Sequence, residues 1–394
     1  MIRHSILRVC LTIATVAVLG AACGETQAGE PPWEAVPLPL GSGHIYATYD
    51  AQRDVIWLLN WAFADLAPPG QPSAATLARF EPESRKFQRY TIRGSADGLG
   101  GDAGLAVDSE GAVWAAWGRR LIRLAPASGE TKEWAIPQPD AADLEGYEGS
   151  GMAVEVAPAP DGRVWVALLF TSAVIALDPA TGAWSRVDTA PLMAIERSRL
   201  TFADGRLLLN GVTRGNPAVG VTPGGGSAMV SIDPAAGEAT LSDIAAFAYW
   251  VRQDGTVDYV DGDTGEARVL TAGGADMATA ARFAVDELHP IRQVMAGGGG
   301  DGSVWLWQSG KLRLDLVRLD ADTGETSSYS YPLVTFIWDG GGPFTVDRSN
   351  LIGKTMAHSP EVHGLVVDRR GDLWVVSANT KVYPALYRLH AEQP

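Results

Sequence analysis

One short phrase recurs six times along this chain, and it limits the fold more than any other feature. Its copies lie at 77–87, 121–131, 174–184, 229–239, 257–267 and 316–326. The third copy is VIALDPATGAW, in which alternating residues lead into a turn rich in Asp, Pro, Thr and Gly. Each copy then resumes as an extended segment. The pattern predicts a β-hairpin in every copy.

A second phrase precedes most copies of the first and predicts another hairpin. It lies at 45–59, 104–117, 154–168, 200–210, 297–307 and 364–377. Asp and Gly supply a tight turn, and a tryptophan stands at one position of the following strand in five copies: Trp57, Trp114, Trp165, Trp305 and Trp374. Because these indoles recur at equivalent positions, we expect them to pack between neighbouring units rather than to line a binding channel.

Two hairpins make one antiparallel unit of four strands. Units of roughly 40 to 50 residues that repeat through a chain are typical of propeller blades, since a single blade must stack on its neighbours to bury its faces. The sequence therefore predicts an all-β fold, a seven-bladed β-propeller of four-stranded antiparallel blades. The span from Gly237 to Gly265 is too short for a full blade. That blade either lacks a strand or takes one from 272–296, and six blades are the alternative count.

The segment PPWEAVPLPLG, residues 31–41, predicts a strand with no partner before it. The last unit, in turn, ends where its fourth strand should begin. We expect the N-terminal strand to pair with the C-terminal blade and to close the ring, because an open edge would leave backbone groups unpaired. The propeller domain then spans 31–394.

The first residues have the features of an export signal. Arg3 and Arg8 flank a basic region, an apolar run extends to Ala22, and Cys23 follows directly. This arrangement resembles the bacterial lipobox, in which the cysteine is acylated. We expect lipidation of Cys23, with ordinary cleavage after Ala22 as the alternative.

Residues 1–23 are thus predicted to form a lipoprotein signal and residues 24–30 a short linker. The protein would be extracytoplasmic and lipid-anchored to the bacterial cell envelope, in the periplasm or at the cell surface. The second cysteine, Cys10, lies within the signal. No disulfide is therefore expected within one mature chain.

The charge balance excludes some partners. The chain has 31 basic and 46 acidic residues, for a formal net charge of −15. Such a surface argues against binding to nucleic-acid phosphates or to anionic membrane surfaces. We expect a monomer that contacts the membrane through its lipid anchor only, with a protein or small-molecule ligand of unknown identity.

The repeated unit at 104–137, seen again near 363–390, resembles that of the virginiamycin B lyase (streptogramin lyase) family of seven-bladed propellers. The resemblance implies histidines and glutamates around the central axis and a magnesium ion, which together open a cyclic ester by elimination. His363, before Gly364, matches the family's His-Gly entry to an innermost strand. The second unit has Ala103 at that position, and the family's Trp-Phe-Thr-Glu strand is absent. A catalytic acid/base pair is not demonstrated by these residues.

Other local patterns carry little weight. DGDTGE and DADTGE space carboxylates as calcium loops do, but Ala272 stands where an EF-hand requires Glu. Gly297–Gly302 matches a dinucleotide-binding glycine pattern, but it precedes a strand rather than a helix. One phrase also resembles quinoprotein blades. We predict no cofactor, and magnesium or calcium only if the protein is an enzyme.

The longer connections indicate where function lies. Turns within the hairpins stay short, whereas the alternate connections lengthen at 62–75, 138–152, 212–226, 272–290 and 333–362. Successive turns of an up-and-down blade alternate between two faces, so we expect one long-loop face and one short-turn face. Loops held on rigid strands are frequent binding sites. The segment 333–362 is long enough to cover the central opening as a lid.

Within these loops we predict five ligand-binding residues, which are aromatic or cationic on an otherwise acidic protein: Tyr147, Arg214, Trp338, His358 and His363. Arg348 and Lys354 lie in the same segment as Trp338 and His358, and His363 stands at its end. All seven are ordinary solvated residues under the plainest interpretation. No catalytic residue is predicted. Three functions stay open: a non-enzymatic binding propeller, which we favour, a metal-dependent lyase or lactonase-like hydrolase with His363 as its catalytic residue, and a purely structural module.

Overall fold

Consecutive strands pair as the antiparallel hairpins that the repeated phrases predict. In the computed structural model, the described residues are 33–40, 44–61, 74–93, 103–139, 151–195, 198–203, 205–213, 227–242, 246–251, 257–261, 267–270, 294–298, 303–309, 314–320, 326–330, 334–337, 355–358, 361–379 and 382–390. Every regular element among them is a strand, and the sheets are antiparallel. No helix in this part of the chain is long and apolar enough to cross a lipid bilayer.

The first three sheets have four strands each, in chain order from the innermost strand outwards. The first sheet contains β2 (His44–Asp50), β3 (Val55–Trp61), β4 (Ala74–Phe80) and β5 (Phe87–Arg93). The second contains β6 (Ala103–Val107), β7 (Val113–Trp117), β8 (Arg120–Ala125) and β9 (Glu130–Ala135). The third contains β10 (Ala153–Pro158), β11 (Val164–Leu168), β12 (Ala173–Leu177) and β13 (Trp184–Asp188).

The next sheets depart from this regularity. The fourth contains β14 (Leu192–Met193), β15 (Leu200–Ala203), β16 (Arg206–Thr213), β17 (Ser227–Asp233) and β18 (Glu238–Ser242). The fifth has three strands among the described residues, β19 (Ala246–Val251), β20 (Val257–Asp261) and β21 (Ala267–Leu270). The sixth again has four, β22 (Val294–Gly298), β23 (Ser303–Ser309), β24 (Leu314–Asp320) and β25 (Thr326–Ser330).

A two-stranded hairpin and the last sheet complete the chain. The hairpin consists of β26 (Val334–Ile337) and β27 (Thr355–His358). The last sheet contains β28 (Glu361–Val367), β29 (Leu373–Asn379), β30 (Val382–Leu389) and, as its outer strand, β1 (Trp33–Pro37). All six copies of each repeated phrase therefore lie in hairpins, as predicted.

The N-terminal strand pairs where we expected. β1 is antiparallel to β30, with Trp33 opposite Leu389 and Pro37 opposite Ala385. Leu38 and Leu40 then enter a cluster shared by the last and first sheets. The count of seven blades and the closure of the ring stay predictions, because the fifth sheet has three strands and a separate hairpin precedes the last sheet in the described part of the chain.

The core lies between neighbouring sheets. The five repeated tryptophans are at most 2% exposed, which confirms their predicted packing. Trp57 of the first sheet packs in one cluster with Leu105 of the second, and Trp165 of the third packs with Leu209 of the fourth. Innermost strands also contact each other from sheet to sheet: β2 with β6, β6 with β10, β10 with β15, β19 with β22, β22 with β28, and β28 with β2. The fourth and fifth sheets meet through β16, the second strand of its sheet, and β19.

Close contact between innermost strands requires a small residue at one point. A Cβ atom on Gly104 of β6 would lie 2.6 Å from the backbone nitrogen of Val156 in β10. Any larger residue would therefore push β6 and β10 apart. This packing fixes the spacing of the strand ends that surround the candidate site.

Candidate functional site

The starts of the innermost strands define the candidate site. Each innermost strand is followed by a short turn and a second antiparallel strand, so its start lies on the face opposite to that turn. This is the long-loop face. Side chains and backbone at these strand starts surround the centre of that face.

Three innermost strands carry a β-bulge at an equivalent position near their starts. The extra residue is His363 in β28, Val154 in β10 and Phe247 in β19. His363 lies three residues before Val366, which pairs with the repeated Trp374 of the next strand. Val154 has the same spacing to Ala157, which pairs with Trp165. Phe247 has it to Trp250, whose partner Asp258 is at the equivalent position of β20. A bulge bends its strand and redirects a side chain, and bulges are frequent beside functional sites. His363 thus belongs to a set of irregular positions on the long-loop face.

The fourth sheet has a larger irregularity at the same level. Both β14 and β15 pair with β16, and of the segment between β14 and β15 the structure describes Ala194, Ile195, Ser198 and Arg199, none of which belongs to a strand. The backbone N–H of Ile195 donates to Ser198 Oγ (2.8 Å), and the N–H of Ser198 donates to the Ile195 carbonyl (2.9 Å). The N–H of Arg199 donates to Asn210 Oδ1 (2.6 Å). These bonds join the two described ends of this excursion to each other and to β16.

Phe170 marks a strained turn beside this excursion. Its φ of 52° lies in the left-handed region, which bulky residues rarely adopt. The Phe170 N–H donates to the carbonyl of Ala194 (2.8 Å), and the Ala194 N–H donates to the carbonyl of Thr171 (3.2 Å). The β11–β12 turn is therefore bonded to the fourth sheet. Strain of this kind persists only where surrounding bonds hold it.

Tyr249 of β19 joins the fourth and fifth sheets near the same strand ends. Its hydroxyl oxygen lies 2.7 Å from the Leu208 carbonyl oxygen and 3.0 Å from the Arg199 carbonyl oxygen, and it is the donor in both contacts. Burial raises the pKa of the Tyr249 phenol well above its usual value of 10.0, and the negative charge of Glu155 acts in the same direction. The phenol stays protonated and donates at every physiological pH.

The residues predicted from the sequence lie in different parts of the chain. Tyr147, Arg214, Trp338 and the lipidation site Cys23 lie outside the described residues. His358, expected in a loop, instead belongs to β27, where it pairs with Val334. The lid segment 333–362 is accordingly not one uninterrupted loop, because the β26–β27 pairing divides it.

Sequence reasoning missed Phe170, Val154 and Phe247. The turn before β12 is longer than a two-residue hairpin turn, which is a usable signal for Phe170. A single extra residue in a short apolar strand leaves no such signal. Of the bulged residues, only His363 is predicted, from its place at the end of a long connection and from the resemblance of His363-Gly364 to a family motif.

The resemblance noted above implies a magnesium site, and the described residues do not fit one. Within them, no three His, Cys, Asp or Glu side chains come together as metal ligands would. Glu155 and His363 lie near equivalent strand starts on separate sheets. This placement alone does not form a coordination shell.

Comparison with known proteins gives the fold. A streptogramin B lyase has a TM-score of 0.59 and 14% sequence identity, with 90% of this chain and 96% of that chain covered. An inactive variant of virginiamycin B lyase from Staphylococcus aureus with quinupristin gives 0.60 and 14%, with 92% and 100% covered. The Cps50 (Swd1) β-propeller domain of Myceliophteria thermophila gives 0.58 and 12%, with 91% and 100% covered.

No protein-family model and no curated protein matches the sequence. Lyases and a propeller domain of another kind are thus about equally similar to this chain. The chain has a β-propeller fold, and this fold serves both binding proteins and enzymes.

Proposed function

We propose that this protein is a non-enzymatic binding propeller whose ligand or protein partner meets the long-loop face. The observation that carries the proposal is the difference between the two faces. On the short-turn face, the turn groups bond to each other. On the long-loop face, bulges, a strained turn and an excursion from the sheet interrupt the regular strands.

Hydrogen bonds between short turns illustrate the first half of this contrast. Arg369 of the last sheet donates to the carbonyl of Ala51 in the first sheet (2.8 Å). Arg53 of the first sheet donates to the carbonyl of Glu110 in the second (2.8 Å). Asp108 caps its own turn by accepting from the backbone N–H of Ala112 (2.8 Å). These bonds tie the short turns of neighbouring sheets to each other and stabilise the framework.

The long-loop face supplies the chemistry for a partner. Tyr147, Arg214, Trp338, His358 and His363 provide aromatic surface and cationic or titratable nitrogen. Aromatic and arginine side chains dominate binding energy at protein interfaces. On a chain with a net charge of −15, these aromatic and basic residues favour a partner with acidic or apolar groups.

The loop between the strands of the β26–β27 hairpin tests this proposal. Replacing residues 339–354 by a short Gly-Ser linker retains both strands of the hairpin, and loop length has only a modest entropic cost. We expect an unchanged melting temperature and loss of the partner, measured by quantitative mass spectrometry of proteins captured from an envelope extract. A matched control replaces the exposed residues 83–85 on the short-turn face by Gly-Ser and should capture the same partner as the unaltered protein.

Two results would contradict the proposal. Equal capture by the long-loop variant and the control would move the binding site elsewhere. Magnesium-dependent opening of a cyclic ester that disappears in His363→Ala would favour a lyase instead. The location of His363 on a bulge at the long-loop end of β28 is the observation that favours this second candidate.

The proposal includes a lipid anchor on Cys23 and an extracytoplasmic location at the bacterial envelope. Stable membrane attachment through acyl chains needs more than one chain, which a diacylated cysteine provides. Cys23→Ala should abolish incorporation of radiolabelled palmitate and move the protein from the membrane fraction to the soluble fraction. Labelling that persists in Cys23→Ala would exclude this residue as the lipidation site.

A further inference from the structure

A crevice of about 290 Å³ lies between the first and second sheets, at the end that carries the short turns. Its walls come from the first sheet and from two turns of the second. The polar and aromatic groups that line it include Arg53, Arg79, Gln88 and Tyr90. The crevice is therefore separate from the long-loop face and does not belong to the function proposed above.

The groups around this crevice offer hydrogen-bond donors rather than acceptors. Asp50, whose side chain is 4% exposed, already accepts from the backbone N–H groups of Gln52 and Arg53, both at 3.1 Å, and from the Arg53 guanidinium. The carboxylate of Glu110 is 80% exposed and pairs with Arg123. Both oxygens of Asp50 are thus engaged by the framework, and the charge of Glu110 is paired with that of Arg123.

The donors retain capacity. A guanidinium has five N–H donors. Arg53 donates through one N–H group to Asp50 and through another to the Glu110 carbonyl, and Arg79 pairs with Glu81. Each guanidinium therefore has N–H groups left for a ligand. Among the described residues, the carboxamide of Gln88 has no hydrogen-bond partner. Two cationic donors and one neutral donor therefore face a common space.

Gly111 fixes the position of one of these donors. A Cβ atom at Gly111 would lie 2.3 Å from the central guanidinium carbon of Arg53. With no side chain at this position, the guanidinium lies against the turn and donates to the neighbouring carbonyl of Glu110 at 2.8 Å. The Arg53 head is held in place before any ligand arrives.

The equivalent space between the second and third sheets is filled. There, Trp134 stacks on Trp114 with ring centroids 5.5 Å apart, and Lys132 lies over Trp134 and donates to the Pro179 carbonyl (3.3 Å). Tyr90 and Gln88 occupy the corresponding strand positions in the first sheet, as their pairing with Leu77 and Arg79 shows. Smaller side chains at these two positions leave the crevice open.

The basic residue on the third strand also differs. Arg123, Arg318 and Arg388 each stand opposite a repeated tryptophan and lie within 6.0 Å of its ring centroid. Arg79 stands opposite Trp57 in the same register, but its guanidinium pairs with Glu81 in the adjacent turn. Arg79 is therefore available at the crevice rather than stacked on the indole.

The geometry points to a binding site for a small carboxylate with a planar body. The carboxylate pairs with Arg79 and Arg53, because charge-assisted hydrogen bonds to guanidinium are the strongest the crevice can offer. The planar body lies against the ring of Tyr90. The volume of the crevice suits a molecule of the size of benzoate.

Isothermal titration calorimetry with benzoate, benzamide and inorganic phosphate tests this site. We expect benzoate to bind at one site and benzamide, which lacks the charge, to bind at least about tenfold more weakly. Arg79→Gln should weaken benzoate binding by at least about tenfold, whereas the matched variant Arg318→Gln, at the equivalent position opposite Trp305 in the sixth sheet, should leave it unchanged. The double variant Tyr90→Trp with Gln88→Lys copies the filled space of the second sheet and should abolish binding.

Circular dichroism and the melting temperature establish that each variant is folded. Failure of the unaltered protein to bind benzoate would overturn the proposal, as would full binding by the Tyr90→Trp, Gln88→Lys variant. Tighter binding of phosphate than of benzoate would contradict the part of the proposal that places a planar body on Tyr90 and would indicate a general oxyanion site. None of these outcomes depends on the partner of the long-loop face.

Discussion

At the scale of single residues, the repeated tryptophans are equally buried but not equally bonded. The Trp374 indole donates to Asp368 Oδ2 (2.9 Å), six residues before it. The Trp165 indole nitrogen is buried with no hydrogen-bond partner, and Ala159 stands at the equivalent position. The two turns nevertheless share the same backbone bonds, since residues 159 and 368 each donate to a carbonyl four residues later, at 2.7 and 3.0 Å.

This equivalence predicts a stabilising substitution. In Ala159→Asp, the new carboxylate should accept from the Trp165 indole and raise the free energy of unfolding by about 1 kcal/mol. The reverse change, Asp368→Ala, leaves the Trp374 indole and the turn N–H groups without an acceptor and should cost about 1 to 3 kcal/mol. Urea unfolding measures both. A lower free energy of unfolding in Ala159→Asp would show that an acceptor for the Trp165 indole does not stabilise this turn.

At the scale of strands and hairpins, the repeated phrases predict which strands pair, but not which positions the paired strands occupy in the strand order of their sheet. Five copies of the first phrase join the third and fourth strands of their sheets. The copy at 257–267 instead joins β20 and β21, the second and third strands of the fifth sheet. The end of β20 therefore lies on the long-loop face, contrary to our expectation that all such turns share the other face.

The reason is physical rather than statistical. Alternation and a tight turn determine that two segments pair, because both effects are local. The rank of a strand depends on how many strands precede it in its sheet, which is a tertiary property. Likewise, His363 is predicted from its place at the end of a long connection and from the resemblance of His363-Gly364 to a family motif. The bulges at Val154 and Phe247 add one residue to a short apolar run and leave the alternation ambiguous.

The outer strand β1 allows a test at this scale. Deletion of 31–41 removes the partner of β30 and the buried side chains of Leu38 and Leu40, so we expect a loss of several kcal/mol in thermal unfolding. Leu38→Ala, a milder change, should cost about 2 to 5 kcal/mol. Deletion of residues 24–30, which the sequence predicts to be a linker, serves as the control and should leave the melting temperature unchanged. A melting temperature that survives the first deletion would contradict the structural role of β1.

At the scale of the whole molecule, titration of the short turns and of buried phenols limits the pH range of stability. The Thr181 hydroxyl and the Ala180 N–H lower the pKa of Asp178 below its usual 3.8, and backbone N–H groups lower that of Asp233. Hydrogen bonds from Ser84 and Arg79 lower the pKa of Glu81. These carboxylates contribute stability above their unfolded pKa, and the contribution is lost as the pH falls through their lowered values.

The phenols act at the other end of the range. Burial raises the pKa of Tyr249 and Tyr49 above 10.0, so their contribution is complete below pH 10.0 and is lost as the pH rises further. We expect the free energy of unfolding to be nearly constant from about pH 5 to 9 and to fall on both sides. Urea unfolding across this range measures it. Stability that keeps rising above pH 10 would contradict the assignment of the phenols.

The pairing of β1 with β30 has a consequence for the order of folding. Every other described strand lies between these two in the sequence, so a ribosome must synthesise all of them before the backbone bonds between β1 and β30 can form. Contacts of such long sequence separation slow folding, because a large loop must close first. The last sheet is therefore the one whose completion is delayed longest, and until then β30 exposes an unpaired edge to other chains.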